Sequence, residues 1–258
     1  DAPLSEAVPA AIEGRRDEVL VDLRKWEDRG TITDPGAALQ EVALLPHHLN
    51  QRYQALDRRD VSVVFGGLAA VPFTFLAGML VDDESQVTLL DWDRDASRWR
   101  ALDGADDGDR FVLRGIDRVP VDAPAAILTV SVSYKVDVPA VRTTLGDLPL
   151  VELDLPNGTP SCHWSEQKQQ ALAQAFRDTV IALGNRRVGR IHVVIAAQSS
   201  VAFRFGRSYD RRNLPPLIVY QYERSSTPPY PWGVAMPTHG LSTAAIVRPL
   251  SPAIAAAG

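Results

Sequence analysis

Cysteine and lysine are nearly absent from this chain. The single thiol, Cys162, excludes an intrachain disulfide and fits a reducing compartment. Only Lys25, Lys135 and Lys168 are lysines among 27 basic residues. That arginine preference can reflect genome composition alone, so it carries no functional weight. No stretch approaches the ~18 apolar residues that a membrane span requires. The first residues, Asp1 to Glu6, lack the basic and apolar regions of an export signal. These absences predict a cytoplasmic protein with no membrane partner. A first residue that is aspartate, not methionine, suggests a segment of a longer polypeptide. The net charge of −5 argues against coating a long nucleic acid, but leaves room for a small anionic ligand in a local site. His47, His48, His163, His192 and His239 show no zinc spacing, and Cys162 beside His163 has no context for a nucleophile, so neither metal, cofactor nor catalytic residue is expected.

What is present is a globular composition, 45% hydrophobic and 23% charged, in 258 residues, enough for one large domain or two ordinary ones. Residues 191–206 run from a β-branched stretch through Ala197, Gln198, Ser199 and Ser200 into an amphipathic segment. This reads as strand, tight turn and helix start, where unpaired N–H groups favour an anion. The pattern occurs twice. Residues 61–75 align with 191–205 at an offset of 130 without a gap, with Val63/Val193, Val64/Val194, Val71/Val201, Phe73/Phe203 and Phe75/Phe205 identical. In the same register 87–93 falls on 217–223. A constant offset across strand, turn, helix and strand indicates duplication.

In chain order, residues 1–18 read as a linker or lead-in, followed by a first unit over 19–118 and a second over 119–258. The first unit is expected to hold a strand at 19–23, a helix at 37–59 kinked near Pro46, a strand at 61–66, a helix at 69–81 and a strand at 87–92. The second opens on a long strand at 125–136, then a strand at 149–153, the strongest helix at 163–184, and the duplicated strands and helix. Its tail, 224–258, reads as proline-rich and mostly irregular. Alternating strands and helices predict an α/β fold, two fused units with mostly parallel sheets. Asp103, Asp106, Asp107 and Asp109 form an acidic loop that reads as solvated, since no glutamate follows at calcium-loop spacing.

Ligands of open parallel sheets lie beyond the carboxyl ends of the strands. There the turn at Gln198, Ser199 and Ser200, its counterpart at Gly67, Leu68 and Ala69, and the strand end with Ser131, Ser133 and Lys135 should converge. The bland alternative is that the serines cap a helix and the small residues permit close packing. Arg204, with Arg207 and Arg211, forms a helical row that is either a solvated face or a phosphate contact.

Residues 189–206 and 213–223, with a strand, an alanine/serine turn, a helix carrying Gly206 and a Val219-Tyr220-Gln221-Tyr222 strand, resemble the SAVED domain family. The likeness covers about 120–235 well and 19–100 more weakly. It implies two fused CARF-like Rossmannoid units that bind a cyclic oligonucleotide messenger, with cyclic tri-adenylate before cyclic tetra-adenylate, in antiphage defence of the CBASS or type III CRISPR kind. It further implies head-to-tail self-association and a fused or trans-acting effector, with no enzymatic activity in the sensor. Lys25, Trp26, Lys135, Tyr222, Trp232 and His239 are the candidates for phosphate and base contacts. The first copy departs from the second in having no polar side chain at Gly67 to Ala70. A ring nuclease or Rossmann-like nucleotide hydrolase is the enzymatic alternative, and an assembly module without a small ligand is the third.

Overall fold

The computed structural model describes residues 4–10, 12–53, 56, 60–81, 85–238 and 240–249. In chain order the elements are β1 (Glu27–Asp28), β2 (Thr31–Ile32), α1 (Pro35–Ala43), α2 (Leu45–Tyr53), β3 (Ser62–Phe65), α3 (Val71–Leu80), β4 (Gln86–Asp93), β5 (Arg98–Ala101) and β6 (Val112–Arg114). There follow β7 (Ala126–Ser131), α4 (Val138–Leu145), β8 (Leu150–Asp154), α5 (Glu166–Asn185), β9 (Ile191–Ala196), α6 (Ser199–Ser208), β10 (Leu217–Gln221), β11 (Trp232–Ala235) and β12 (Ala245–Val247). Short 3-10 turns lie at Leu4–Ala7, Arg24–Trp26 and Ile116–Arg118.

The larger sheet has the order β12-β11-β10-β9-β7-β8-β6, with β10, β9, β7 and β8 mutually parallel and antiparallel strands at both edges. Every residue of β7 is buried, as a central parallel strand covered on both faces must be. On one face α4 sets Val141 into a cluster with Ile127, Val194, Ile218 and Tyr220. On the other, α5 places Leu172, Phe176, Val180 and Leu183 at helical spacing against Leu128, Val130, Val193 and Val219. The chain leaves β7 for β8 on one side and returns from β8 to β9 on the other. The loops after β7 and β9 therefore diverge, which is a topological switch point.

A smaller sheet, β3-β4-β5, pairs β3 and β4 in parallel. Between the two sheets lie α3 and α6. Phe203 of α6 stacks on Phe65 of β3 with centroids 3.9 Å apart and is buried with Val81 and Leu89. Two residues on, Phe205 stacks on Phe176 of α5 at 4.9 Å, so α6 is apolar on both faces. The crossing of α3 and α6 needs glycine. A Cβ at Gly78 would lie 2.0 Å from the Phe203 carbonyl oxygen, and one at Gly206 only 1.9 Å from that of Phe75.

Several sequence expectations are corrected. No strand forms at 19–23; a two-residue hairpin, β1 and β2, stands nearby. The 37–59 helix is two, α1 and α2, divided one residue before the Leu45-Pro46 start, and 54–55 and 57–59 lie outside the described residues. The long strand stops at Ser131, where Val132 and Ser133 both donate to the Ala196 carbonyl and turn the chain. Among the described residues the tail is mostly irregular, as expected, but two short strands in it, β11 and β12, extend the large sheet. Helix α4 and the short strands β5 and β6 were not anticipated, because elements of three to eight residues give too little periodicity.

The repeat is real in order but not ungapped. Val71 to Ser199, the two helix starts, is a step of 128, not 130. The first turn spans 66–70 and the second only 197–198, while the connection after the helix is 81–85 in one and 209–216 in the other. A longer turn before the helix is thus matched by a shorter one after it.

Candidate functional site

The carboxyl edge of the large sheet gathers most of the candidate residues. Gln198, at the start of α6, does not cap that helix. Its amide nitrogen donates to the Pro160 carbonyl, and its carbonyl oxygen accepts from the Ser133 hydroxyl. One side chain thereby ties the loops after β7, β8 and β9 together. Ser131, the last residue of β7, accepts from the Val136 amide at 3.1 Å and so folds the 132–136 loop back over the strand end. Ser199 is half-buried at this edge. Lys135 is ion-paired with Asp154 at the end of β8, with Arg114 3.3 Å from the same carboxylate. Burial works against the charge on Asp154, but Lys135 and Arg114 outweigh it and hold the carboxyl below its ordinary range.

The 66–70 turn reaches the same edge from the smaller sheet. The Val71 amide at the start of α3 donates to the side-chain carbonyl of Gln221, the last residue of β10, at 3.1 Å. Leu68 and Ala69 are exposed, Leu68 by 60%, and Gly67 lies against the Phe65 ring. Tyr222, 51% exposed, follows Gln221, and Tyr134, 57% exposed, stands on the loop after β7. Tyr134 was missed in the sequence because it looked like a strand residue; only the chain reversal after Ser131 brings it out. Gly66 is the seat of the Leu4 side chain: a Cβ there would lie 2.3 Å from Leu4 Cδ1 and 3.3 Å from the Trp99 ring. The segment Leu4–Ala7 thus packs beside the first turn.

Other candidates are placed elsewhere. Ser200 is fully buried, its hydroxyl accepting from Gln169 at 2.8 Å, because the first turn of α6 faces α5. Arg204 is bonded to Glu166 and Gln169 in the α5–α6 contact, where burial pushes its guanidinium down; its row also ends there, since Arg211 lies beyond α6. Trp232 is 2% exposed, its indole N–H donating to Glu223 at 2.8 Å and its ring 5.1 Å from Phe73. Lys25 lies 3.9 Å above the Trp26 ring in the 3-10 turn beside α1, and Trp26 leans on the main core. His239 falls outside the described residues.

The acidic loop is neutralised from within. Asp103 pairs with Arg100 at 2.6 Å, Asp106 with Arg110 at 2.6 Å, and Asp107 with the buried Lys168 at 2.7 Å. Among the described residues no group of His, Cys, Asp and Glu side chains could hold a metal ion. A cleft of about 610 Å³ lies behind the sheet, at its amino-terminal side between α5 and the 210–215 loop; Asp210 there is engaged by Arg212 and Asn213, so it does not add to the site. Beneath the start of α6, His163 is 2% exposed with neither ring nitrogen hydrogen-bonded among the described residues, and 3.7 Å separates it from Asp91. Burial pushes its imidazole down, outweighing the nearby Asp91 carboxylate.

Comparison with known proteins bears on the fold and the family. The fold is similar to that of the Acinetobacter baumannii Cap4 SAVED/CARF-domain containing receptor solved with the cyclic trinucleotide 2'3'3'-cAAA, at 11% identity and a TM-score of 0.61, covering 84% of this chain and 46% of that one. The same receptor with 3'3'3'-cAAA gives 11% identity and 0.59, over 84% and 46%. The Moraxella osloensis Cap4 receptor gives 14% and 0.55, over 88% of this chain and 47% of that one. This chain therefore spans under half the length of those receptors. No curated protein matches it. Residues 1–39 match the model of a SAVED-fused 2TM effector domain, which bears against the expectation of a chain with no membrane partner. Among the described residues no helix is long and apolar enough to cross a membrane. Residues 45–236 match the SAVED model, the SMODS-associated sensor domain fused to various effectors, and with most of its length matched this chain belongs to the SAVED family.

Proposed function

We propose that this chain is a sensor that binds a cyclic oligonucleotide at the carboxyl edge of its large sheet and signals to a membrane-embedded 2TM effector in antiphage defence. The observation that carries the reading is the meeting of both repeated turns at one edge, through the Val71–Gln221 and Ser133–Gln198 bonds. Lys135, Gln198 and Ser199 would serve phosphates, with the buried Ser133 holding Gln198 in place, and the exposed Tyr134 and Tyr222 would cover bases. The backbone of Gly67 to Ala69 would supply the first turn's share. Cyclic tri-adenylate is the first ligand to test, cyclic tetra-adenylate the second; the Cap4 structures with cyclic trinucleotides support that order.

In this reading two CARF-like units meet along α3 and α6, and ligand drives head-to-tail self-association. Leu4–Ala7 belongs to the stretch that matches the effector and touches Gly66 beside the first turn, which gives a short route from ligand to effector. Calorimetric titration with a panel of cyclic di-, tri- and tetranucleotides tests the sensor reading, and a flat panel sinks it. Chromatography of the same mixtures should return intact rings; linear products would make the chain a ring nuclease. Ser199→Arg should abolish the binding signal and leave the thermal transition near wild type. Hydrogen exchange in residues 4–10 should change on ligand addition; no change would remove the proposed route.

A further inference from the structure

Helix starts leave N–H groups without intrahelical partners, and a side chain just before the helix usually accepts from one of them. Helices α1, α4 and α5 follow this rule: Asp34 accepts from Ala37, Asp137 from Ala140 and Ser165 from Lys168. Helices α3 and α6 do not. Ala70 has no side chain able to accept, and Gln198 spends its amide on Ser133 and Pro160.

Their caps come from across the molecule, in exchange. The Ser200 amide at the start of α6 donates to Asp91 Oδ2 of β4 at 3.0 Å, from 109 residues away. The Val71 amide at the start of α3 donates to Gln221 Oε1 of β10 at 3.1 Å, from 150 residues away. Each strand belongs to the half that does not own the helix it caps, and Asp91 and Gln221 occupy matching places in the repeat, 130 apart. Asp91 is fixed further: it is 2% exposed and its other oxygen accepts from the Trp92 amide at 2.8 Å. The two caps and the two glycine contacts of α3 with α6 hold the halves at four points.

We propose that Asp91 and Gln221 are positioning residues that fix the two turns relative to each other, and thereby set which ring size of cyclic oligonucleotide the edge accepts. The ring-size part rests on the ligand reading above; the mutual locking does not. A cap that served only its own helix could sit locally, as in α1, α4 and α5. A cap given by the opposite half makes the placement of each turn depend on the other half's strand.

The test uses Asp91→Ala, Asp91→Asn, Gln221→Ala and Gln221→Glu in the full chain. Without ligand, amide exchange by mass spectrometry should rise at the starts of both α3 and α6 in either alanine variant, by about fivefold for a lost cap. The Asn and Glu variants keep an acceptor and should restore protection. With ligand, the ratio of affinities for cyclic tri- and tetra-adenylate should move towards one in the alanine variants and return in the conservative ones. Exchange that rises only at the uncapped helix, with that ratio unchanged, overturns the proposal. Should Asp91→Ala fail to fold, Gln221→Ala, at a half-buried site, decides between the same two outcomes. If the wild type binds no ring, the ligand reading fails alone and the exchange arm still judges the locking.

Discussion

The turn after β3 and the turn after β9 occupy matching places in a repeated strand-turn-helix and are built for different work. The second has two residues, follows a buried central strand, and commits Gln198 to holding three loops together. The first has five, follows a half-buried strand of a three-stranded sheet, and offers exposed Leu68 and a glycine seat for Leu4. A polar turn on a rigid base suits contact with an anion. An apolar, longer turn on a smaller base suits packing against another segment, here the start of the chain. In the proposed reading this division gives one half the ligand contacts and the other half the connection to the start of the chain.

The sharpest way to break that comparison is to loosen the smaller base. Phe203→Ala empties the stack on Phe65 and Phe205→Ala the stack on Phe176; each should cost about 3–5 kcal/mol in denaturant unfolding. They should differ in where protection is lost. Phe203→Ala should raise hydrogen exchange in β3, β4 and β5 while β7 and β9 stay protected. An even loss over both sheets would mean that the smaller sheet has no separate stability.

Acid should probe the other base. Burial, helped by the charge of Arg190, pushes the imidazole of His192 in β9 down to about 4. The unfolded chain therefore takes up that proton more readily than the folded one. Stability falls as pH drops below the ordinary histidine value of ~6.5 and the loss is complete near pH 4, at up to about 3 kcal/mol. Burial of His163 acts with the same sign. His192→Ser, which copies exposed Ser62 at the aligned position of the first half, should flatten the acid limb of the stability profile. An unchanged slope would remove His192 from the account.

Between the bases, the α3–α6 crossing is expected to be even-handed. Gly78→Ala and Gly206→Ala each drive a methyl into a backbone carbonyl and should destabilise by about 2 kcal/mol apiece. A marked difference between them would show that the two halves do not share the crossing equally.

The α/β class, the repeated order of strand, turn and helix, and the turns at the carboxyl edge of the large sheet were legible because β-branched runs ending at small residues fix parallel strands and their turns. The caps exchanged by Asp91 and Gln221 were half legible: the two positions align in the repeat, but nothing local says that each serves a helix more than 100 residues away. Trp232 and Arg204 misled for the same reason. An indole paired with Glu223 and a guanidinium paired with Glu166 look, in sequence, like groups free for a ligand. Burial by a third element decides them, and periodicity does not report it. Insertions also hide: the three residues added to the first turn are removed after the helix, so strands stay near register while helices slip.

The finest test of the comparison lies within the second turn, between neighbouring serines. Ser199 is half-buried at the edge, whereas Ser200 is enclosed and its hydroxyl accepts from the Gln169 amide. Ser200→Ala removes that acceptor, but the same Gln169 nitrogen still donates to the His163 carbonyl at 2.8 Å, so the donor is not left without a partner. The cost should be about 1 kcal/mol, the net value of one hydrogen bond, with ligand affinity unchanged. Ser199→Ala should do the reverse, leaving the unfolding midpoint in place and weakening the calorimetric signal. If Ser200→Ala alone weakens binding, the turn works through its buried side, and the polar edge is not where the ligand is read.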